Sequence, residues 1–169
     1  RLGLEQVIAR ESRISLMMGE KEQRFVVTED AEKQALFSHL EAWLRSLAPA
    51  DLSAGINDLC ARYRVDLTAL SREASMDWQD LAKLAADPLV TIGSATVNYS
   101  ALANMQDASA LREMTMGKAV AEAAFRRDIR HLAFPFGDRA SFQRSHVMMA
   151  EEAGFASAVS TIPGIVEAE

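Results

Sequence analysis

The chain has 169 residues and a mass of 18.5 kDa, which suits one domain or two small ones. Apolar residues make up 49% of the sequence and charged residues 25%, as in ordinary soluble globular proteins. Eighteen basic residues face 24 acidic ones, so the net charge is -6 and nucleic acid is not an expected partner. The single cysteine, Cys60, excludes an internal disulfide and a cysteine-cluster zinc site.

The sequence offers no targeting signal. No apolar run approaches the ~20 residues of a membrane span, so a membrane is not an expected partner. Residues 1–5 are not typical of a signal peptide, and a cytoplasmic location is the default expectation.

The first part of the chain, residues 1 to about 87, carries mainly helical patterns. A helix is predicted at residues 4–13 and a hairpin at residues 13–27, where two alternating runs flank a turn. Thr28 is the expected N-cap of the next helix, and Ser75 that of a later one. Three apolar stripes predict core packing rather than a partner-binding groove. Their members are Leu36, Leu40, Trp43, Leu44 and Leu47; Leu52, Ile56, Leu59, Cys60 and Tyr63; and Leu81, Leu84 and Ala85.

The second part, residues 88–161, alternates short apolar runs with long amphipathic segments, which is typical of βα units around a parallel sheet. Gly154 is the expected left-handed stop of the last helix. A sheet of three strands is open, so we expect its open side to be covered by the helical first part or by a second copy of the chain. The strands are predicted at residues 89–93, 129–134 and 155–160, and the helices at residues 107–127 and 142–153.

Four segments in order carry a family resemblance: residues 76–81, 87–94, 130–138 and 153–161. The third reads Arg-His-Leu-Ala-Phe-Pro-Phe-Gly-Asp and is similar to the motif R-x-F-A-Y-P-x-G. Together they resemble the polysaccharide deacetylase family (nodulation-protein-B-like, carbohydrate esterase family four). The resemblance implies an α/β fold that is part of a distorted (β/α) barrel. It also implies two regions, a mostly helical insertion-like segment at residues 1–75 and the C-terminal half of the barrel domain at residues 76–169.

The activity that the resemblance implies is removal of N-acetyl groups from amino sugars, a hydrolysis of non-peptide C–N bonds. In the family, one Asp and two His hold a divalent metal such as zinc, which lowers the pKa of its bound water toward ~7. A second Asp accepts the proton, and a late His protonates the leaving amine. A backbone N–H of the groove motif stabilises the oxyanion, and by resemblance the Phe136 amide takes that place here.

The sequence departs from the family at the positions that carry this chemistry. The paired imidazoles would stand at Ala95 and Tyr99, which cannot supply them. The strand with the paired Asp is not found in the 169 residues, and the late His would fall beyond Val166. We therefore expect no tight metal site and no cofactor in this chain. The chain is either a fragment of a longer protein or a diverged copy of a family member, and both interpretations remain open.

The groove motif itself is retained. Pro135, Phe136, Gly137 and Asp138 are the expected substrate-binding residues, and Arg130 adds a polar group at a strand end. Two further candidates, Asn98 and Tyr99, either hydrogen-bond a sugar or fill the space that the ligands vacated.

Other reactive residue types have plainer interpretations. His131 and His146 are either replacement ligands or surface or half-buried polar residues, and His39 is expected to face solvent. Cys60 lies on an apolar stripe and is expected to be a core residue rather than a nucleophile.

Two functions from different classes remain open. One is a polysaccharide-deacetylase-like hydrolase that is inactive as this chain; the other is a non-catalytic relative that binds a glycan or a protein. The expected partners are a glycan with N-acetyl groups and either a second copy of the chain or an N-terminal segment of a longer protein.

Overall fold

A computed structural model describes residues 1–164 of the chain. The chain divides into two compact units, Arg1–Asp77 and Trp78–Glu169. Its mixture of helices and small sheets is compatible with an α/β fold. Within residues 1–164, none of the helices combines the length and the apolar character that crossing a bilayer requires.

The first unit is built from four helices and one hairpin. Its elements are α1 (Leu2–Arg10), β1 (Arg13–Met18), β2 (Lys21–Val26), α2 (Asp30–Ser46), α3 (Pro49–Arg62) and α4 (Leu67–Ala74). The predicted hairpin is present, with Arg13 opposite Val26 and a tight turn at Gly19, whose φ of +65° suits glycine. The first two apolar stripes supply most of the core, which includes Leu40, Leu59 and Cys60. The third stripe lies in the second unit, where Ala85 is buried but Leu84 is 41% exposed, so the core prediction is wrong for Leu84.

Two predicted helix caps are wrong. The helix α2 begins after Glu29 rather than after Thr28, because Glu29 forms a capping box with Glu32. The Glu29 side chain accepts a hydrogen bond from the Glu32 N–H, and the Glu32 carboxylate accepts one from the Glu29 N–H. Ser75 ends α4 in extended backbone and does not begin the next helix, which starts at Trp78.

The second unit places helices around a small parallel sheet. Its elements are α5 (Trp78–Ala85), a 3-10 turn (Leu102–Asn104), α6 (Asp107–Phe125), β3 (His131–Ala133), α7 (Arg144–Glu152) and β4 (Ser157–Val159). The strands β3 and β4 are parallel, with Leu132 opposite Ala158. The predicted stop at Gly154 is confirmed by its φ of +78°. Met114, Ile129 and Leu132 are fully buried in the core of this unit.

The strand predicted at residues 89–93 is wrong. The Asp87 side chain accepts a hydrogen bond from the Leu89 N–H, and the Asp87 carbonyl accepts one from Val90, so the chain turns there and leaves Leu89 93% exposed. Pairing begins only at Ser94, whose N–H donates to His131 O and whose carbonyl accepts from Ala133 N, both at 2.8 Å. Ser94, β3 and β4 therefore lie side by side in parallel order, but the first member is a single bridge.

Candidate functional site

The predicted groove motif follows the carboxyl end of β3 and has an unusual backbone. Pro135 is fully buried, and Phe136 and Gly137 both lie in the left-handed region, with φ of +62° and +71°. Thr161, beyond the end of β4, fixes this conformation. Its N–H donates to the Gly137 carbonyl and its hydroxyl donates to the Phe136 carbonyl, both at 3.0 Å.

Tyr99 lies against Phe136, so the structure brings together two of the predicted site residues. The ring centroids are 5.6 Å apart with the planes tilted by 57°, an arrangement typical of favourable aromatic pairs. Tyr99 is 56% exposed and Phe136 is half-buried. Tyr99 also has a left-handed backbone, with φ of +52°. Non-glycine residues persist in this conformation only where their surroundings impose it, and such residues cluster at functional sites.

Asn98 holds the Tyr99 loop against α6. Its backbone N–H and its Nδ2 group both donate to the Glu113 carboxylate, at 2.9 and 2.6 Å. The Asn98 amide nitrogen is therefore engaged by Glu113, and a direct contact of Asn98 with a sugar stays a prediction.

Asp138 shapes the turn that follows the motif. Its Oδ1 accepts a hydrogen bond from Ala140 N–H at 3.1 Å, and its carbonyl accepts from the N–H and the hydroxyl of Ser141. The roles of Asp138 as a sugar ligand and of the Phe136 amide as an oxyanion donor stay predictions.

The residues present do not fit the metal that the family uses. At one expected ligand position Ala95 offers a half-buried methyl group, and at the other the Tyr99 ring packs on Phe136. Across residues 1–164, no three His, Cys, Asp or Glu side chains lie close enough together to hold an ion. The position expected for the late His, beyond Val166, lies outside the described residues.

The histidines of the second unit lie at separate places. His131 is exposed at the start of β3, the strand end opposite the groove motif, and its Nδ1 lies 2.8 Å from the Ser157 hydroxyl. His146 is 2% exposed, and its Nδ1 accepts a hydrogen bond from Gln143 N–H at 2.9 Å. Burial lowers the pKa of His146, while the charge of Asp107 opposes that shift.

His39 and Cys60 of the first unit have the exposure that the sequence predicts. His39 is exposed on α2 and lies beside Phe25. Cys60 is a buried free thiol whose pKa is raised by burial, as expected of a core residue.

Sequence reasoning missed two residues that build the site, Thr161 and Glu113. Thr161 closes the predicted third strand, but nothing in its sequence context indicates a bond across to the groove motif. Glu113 is one of several acidic residues on α6, and its partner Asn98 is 15 residues away along the chain.

Comparison with known proteins supports the resemblance. The profile of the family described as Polysaccharide deacetylase matches residues 47–158, well over half of the chain. No curated protein and no solved structure matches the chain significantly. The matched range contains Ala95, Tyr99 and the whole groove motif. The chain therefore belongs to the polysaccharide deacetylase family.

Proposed function

We propose that this chain is a polysaccharide-deacetylase-like protein that binds glycans of the N-acetyl amino sugar class without the ordinary metal-dependent hydrolysis of its family. The observation that carries this proposal is the replacement of the paired imidazoles by Ala95 and Tyr99, together with the packing of the Tyr99 ring on Phe136. In the same proposal, the second unit derives from part of a distorted (β/α) barrel.

The binding half of the proposal depends on the aromatic pair. Sugar rings present apolar C–H faces, and an exposed aromatic ring is a flat apolar surface for them. Left-handed backbone at a non-glycine residue costs on the order of 1–3 kcal/mol, so its occurrence at both Tyr99 and Phe136 supports a functional reason for their positions. The bond from Thr161 to the Phe136 carbonyl and the bond from Asn98 to Glu113 anchor the chain beside the two rings, which supports a site that is organised for binding.

The catalytic half of the proposal depends on residue type. A methyl group has no lone pair to offer a metal, and the Tyr99 phenol belongs to a ring that is packed on the groove wall. These substitutions hold whether the chain acts alone or within a longer protein. The other candidate, hydrolysis itself, is supported by family membership and opposed by the same two residues.

The test measures binding and turnover on the same samples. Calorimetric titration with chitin oligomers gives the affinity, and acetate release with added zinc or cobalt gives the activity. We expect saturable binding and no acetate release from the unaltered chain. Tyr99→Ala should weaken binding about tenfold, since an aromatic contact contributes about 0.5–1.5 kcal/mol beyond its area.

Two variants serve as controls. Tyr99→Phe keeps the ring and should bind nearly as well as the unaltered chain. Met148→Ala removes an exposed apolar side chain on α7 and should change nothing. Equal affinity of Tyr99→Ala and the unaltered chain would contradict the binding site, and robust acetate release by the unaltered chain would contradict the loss of catalysis.

A further inference from the structure

The segment that carries Tyr99 is held to the rest of its unit by few hydrogen bonds. Asn98 donates two of them to the Glu113 carboxylate, one from its backbone N–H and one from Nδ2, at 2.9 and 2.6 Å. Among the residues that the structure describes, no other hydrogen bond reaches residues 96–100. The position of the Tyr99 ring therefore depends mainly on its packing against Phe136 and on these two bonds to α6.

The close approach of α6 makes the two bonds possible. A Cβ atom on Gly117 would lie 3.2 Å from the Thr96 backbone and 3.1 Å from the Ser94 hydroxyl, which is tighter than most real contacts. Glu113 precedes Gly117 by four residues, so both lie on the face of α6 that meets this segment. The helix thus brings a half-buried carboxylate to the backbone and the side chain of Asn98.

The two bonds act where the backbone is strained. Tyr99 directly follows Asn98 and has a φ of +52°, which a non-glycine residue keeps only where its surroundings impose it. Glu113 offers a charged acceptor, and hydrogen bonds to charged groups are among the stronger ones in proteins. Because the backbone and the side chain of Asn98 are both held, the next residue has few conformations left in which its ring can meet Phe136.

We propose that Glu113 is a positioning residue of the glycan site, which acts through Asn98 to hold the Tyr99 ring on Phe136. This role rests on the proposed glycan binding and deepens it. The Glu113 carboxylate is engaged by Asn98, so its contribution is to order the ring before a sugar arrives. Ordering the ring in advance removes part of the entropic cost that binding to a loose segment would carry.

Calorimetric titration with chitin oligomers tests the role in binding. Glu113→Ala should weaken binding about threefold or more, although no more than Tyr99→Ala does, because a residue that acts through the ring cannot lose more than the ring contributes. Glu113→Gln keeps one acceptor oxygen and should restore most of the affinity. Adding Glu113→Ala to Tyr99→Ala should weaken binding no further. Glu152→Ala removes an exposed carboxylate from α7 and is the control, which should bind as the unaltered chain does.

Fluorine NMR observes the ring without any ligand. The chain contains two tyrosines, Tyr63 and Tyr99, so labelling with 3-fluorotyrosine gives two signals, and Tyr99→Phe assigns them. In the free protein, Glu113→Ala should move the Tyr99 signal toward that of an unstructured tyrosine and leave the Tyr63 signal in place. Circular dichroism checks that the variant is folded. If Glu113→Ala unfolds the chain, Asn98→Ala, which removes the shorter of the two bonds, should move the Tyr99 signal in the same direction.

The two measurements separate this role from glycan binding itself. If the unaltered chain does not bind chitin oligomers, the proposed function is contradicted, whereas a displaced Tyr99 signal in Glu113→Ala still supports the positioning role. A Tyr99 signal that the folded variant leaves unchanged would overturn that role. So would a loss of affinity from Glu113→Ala that is as large in the Tyr99→Ala background as in the unaltered chain, because Glu113 would then act independently of the ring.

Discussion

At the scale of single residues, the peptide units of Phe136 and Gly137 determine the shape of the groove wall. Their left-handed conformation turns the chain at the end of β3 and brings it within hydrogen-bonding distance of Thr161. A Cβ atom on Gly137 would lie 2.7 Å from the Thr161 nitrogen, closer than real contacts allow. Only glycine therefore fits here, for reasons both of backbone conformation and of space.

Replacement of Gly137 by alanine should be costly for stability. We expect Gly137→Ala to lower the free energy of unfolding by about 1–3 kcal/mol, the range for strained backbone and steric conflict at a special φ. The matched control is Gly164→Ala, because a Cβ at Gly164 would have no atom of residues 1–164 within 4 Å. Urea unfolding of both variants is the measurement, and equal stability of the two would contradict the steric argument.

Sequence reasoning found some of these residues and missed others for a physical reason. Pro135 and Gly137 were recognisable because turn chemistry is local and leaves a motif in the sequence. The packing of Tyr99 on Phe136 joins segments 37 positions apart, and no local pattern indicates it. The same holds for Thr161, whose two bonds to the motif arise only when the chain folds back.

At the scale of elements, helix α7 begins with a histidine in a role that glutamate or glutamine usually takes. His146 Nδ1 accepts the hydrogen bond from the Gln143 N–H, so the ring nitrogen that bears the proton must be Nε2. Protonation at Nδ1 would break this bond and would place a charge in a buried site.

The cap makes the stability of the protein depend on pH. The pKa of His146 is lowered in the folded state. The neutral ring therefore contributes to the free energy of unfolding in full above the unfolded-state pKa of about 6.5, and this contribution is lost as the pH falls through the folded-state pKa. His146→Gln keeps an acceptor at the cap without a titrating group. We expect its free energy of unfolding to fall less between pH 7 and pH 5 than that of the unaltered chain.

Urea unfolding at several pH values is the measurement for this cap. The control is Met148→Ala, which replaces an exposed side chain without a titrating group on the same helix and should keep the pH dependence of the unaltered chain. Identical pH profiles for His146→Gln and the unaltered chain would show that the cap does not contribute in this way.

The elements also show where apolar periodicity misleads. Residues 89–93 form an apolar run that is typical of a buried strand, yet they make a turn and an unpaired stretch. The Asp87 side chain and Pro88 favour a turn locally, and that preference outweighs the apolar character of the run. The other βα segments were predicted correctly in type and position, but their strands extend over only three residues each.

At the scale of the whole molecule, the family match and the structural units do not share a boundary. Along the chain, the first unit ends at Asp77 and the second begins at Trp78. The family match begins at residue 47 and therefore includes α3 and α4 of the first unit. Each unit has its own buried core. Family membership therefore extends into the mostly helical first unit, and the interpretation of residues 1–75 as an insertion-like segment stays a prediction.

Returning the two imidazoles to this molecule tests whether the family's chemistry can be restored. The double variant Ala95→His and Tyr99→His returns both imidazoles, and histidine tolerates the left-handed backbone at position 99 better than most residues. Two imidazoles are fewer than the three protein ligands usual at a catalytic zinc site. We therefore expect weak metal binding, with a dissociation constant in the micromolar range or above, and little acetate release.

Calorimetric titration with zinc and an acetate assay on chitin oligomers measure the two effects separately. The single variant Ala95→His is the control and should bind the metal less tightly than the double variant. The double variant also loses the Tyr99 ring, so its affinity for chitin oligomers should fall as that of Tyr99→Ala does. Robust acetate release by the double variant would mean that a carboxylate already stands in the place of the base. Asp138, which follows the groove motif directly, is the first residue to replace in that case, by asparagine.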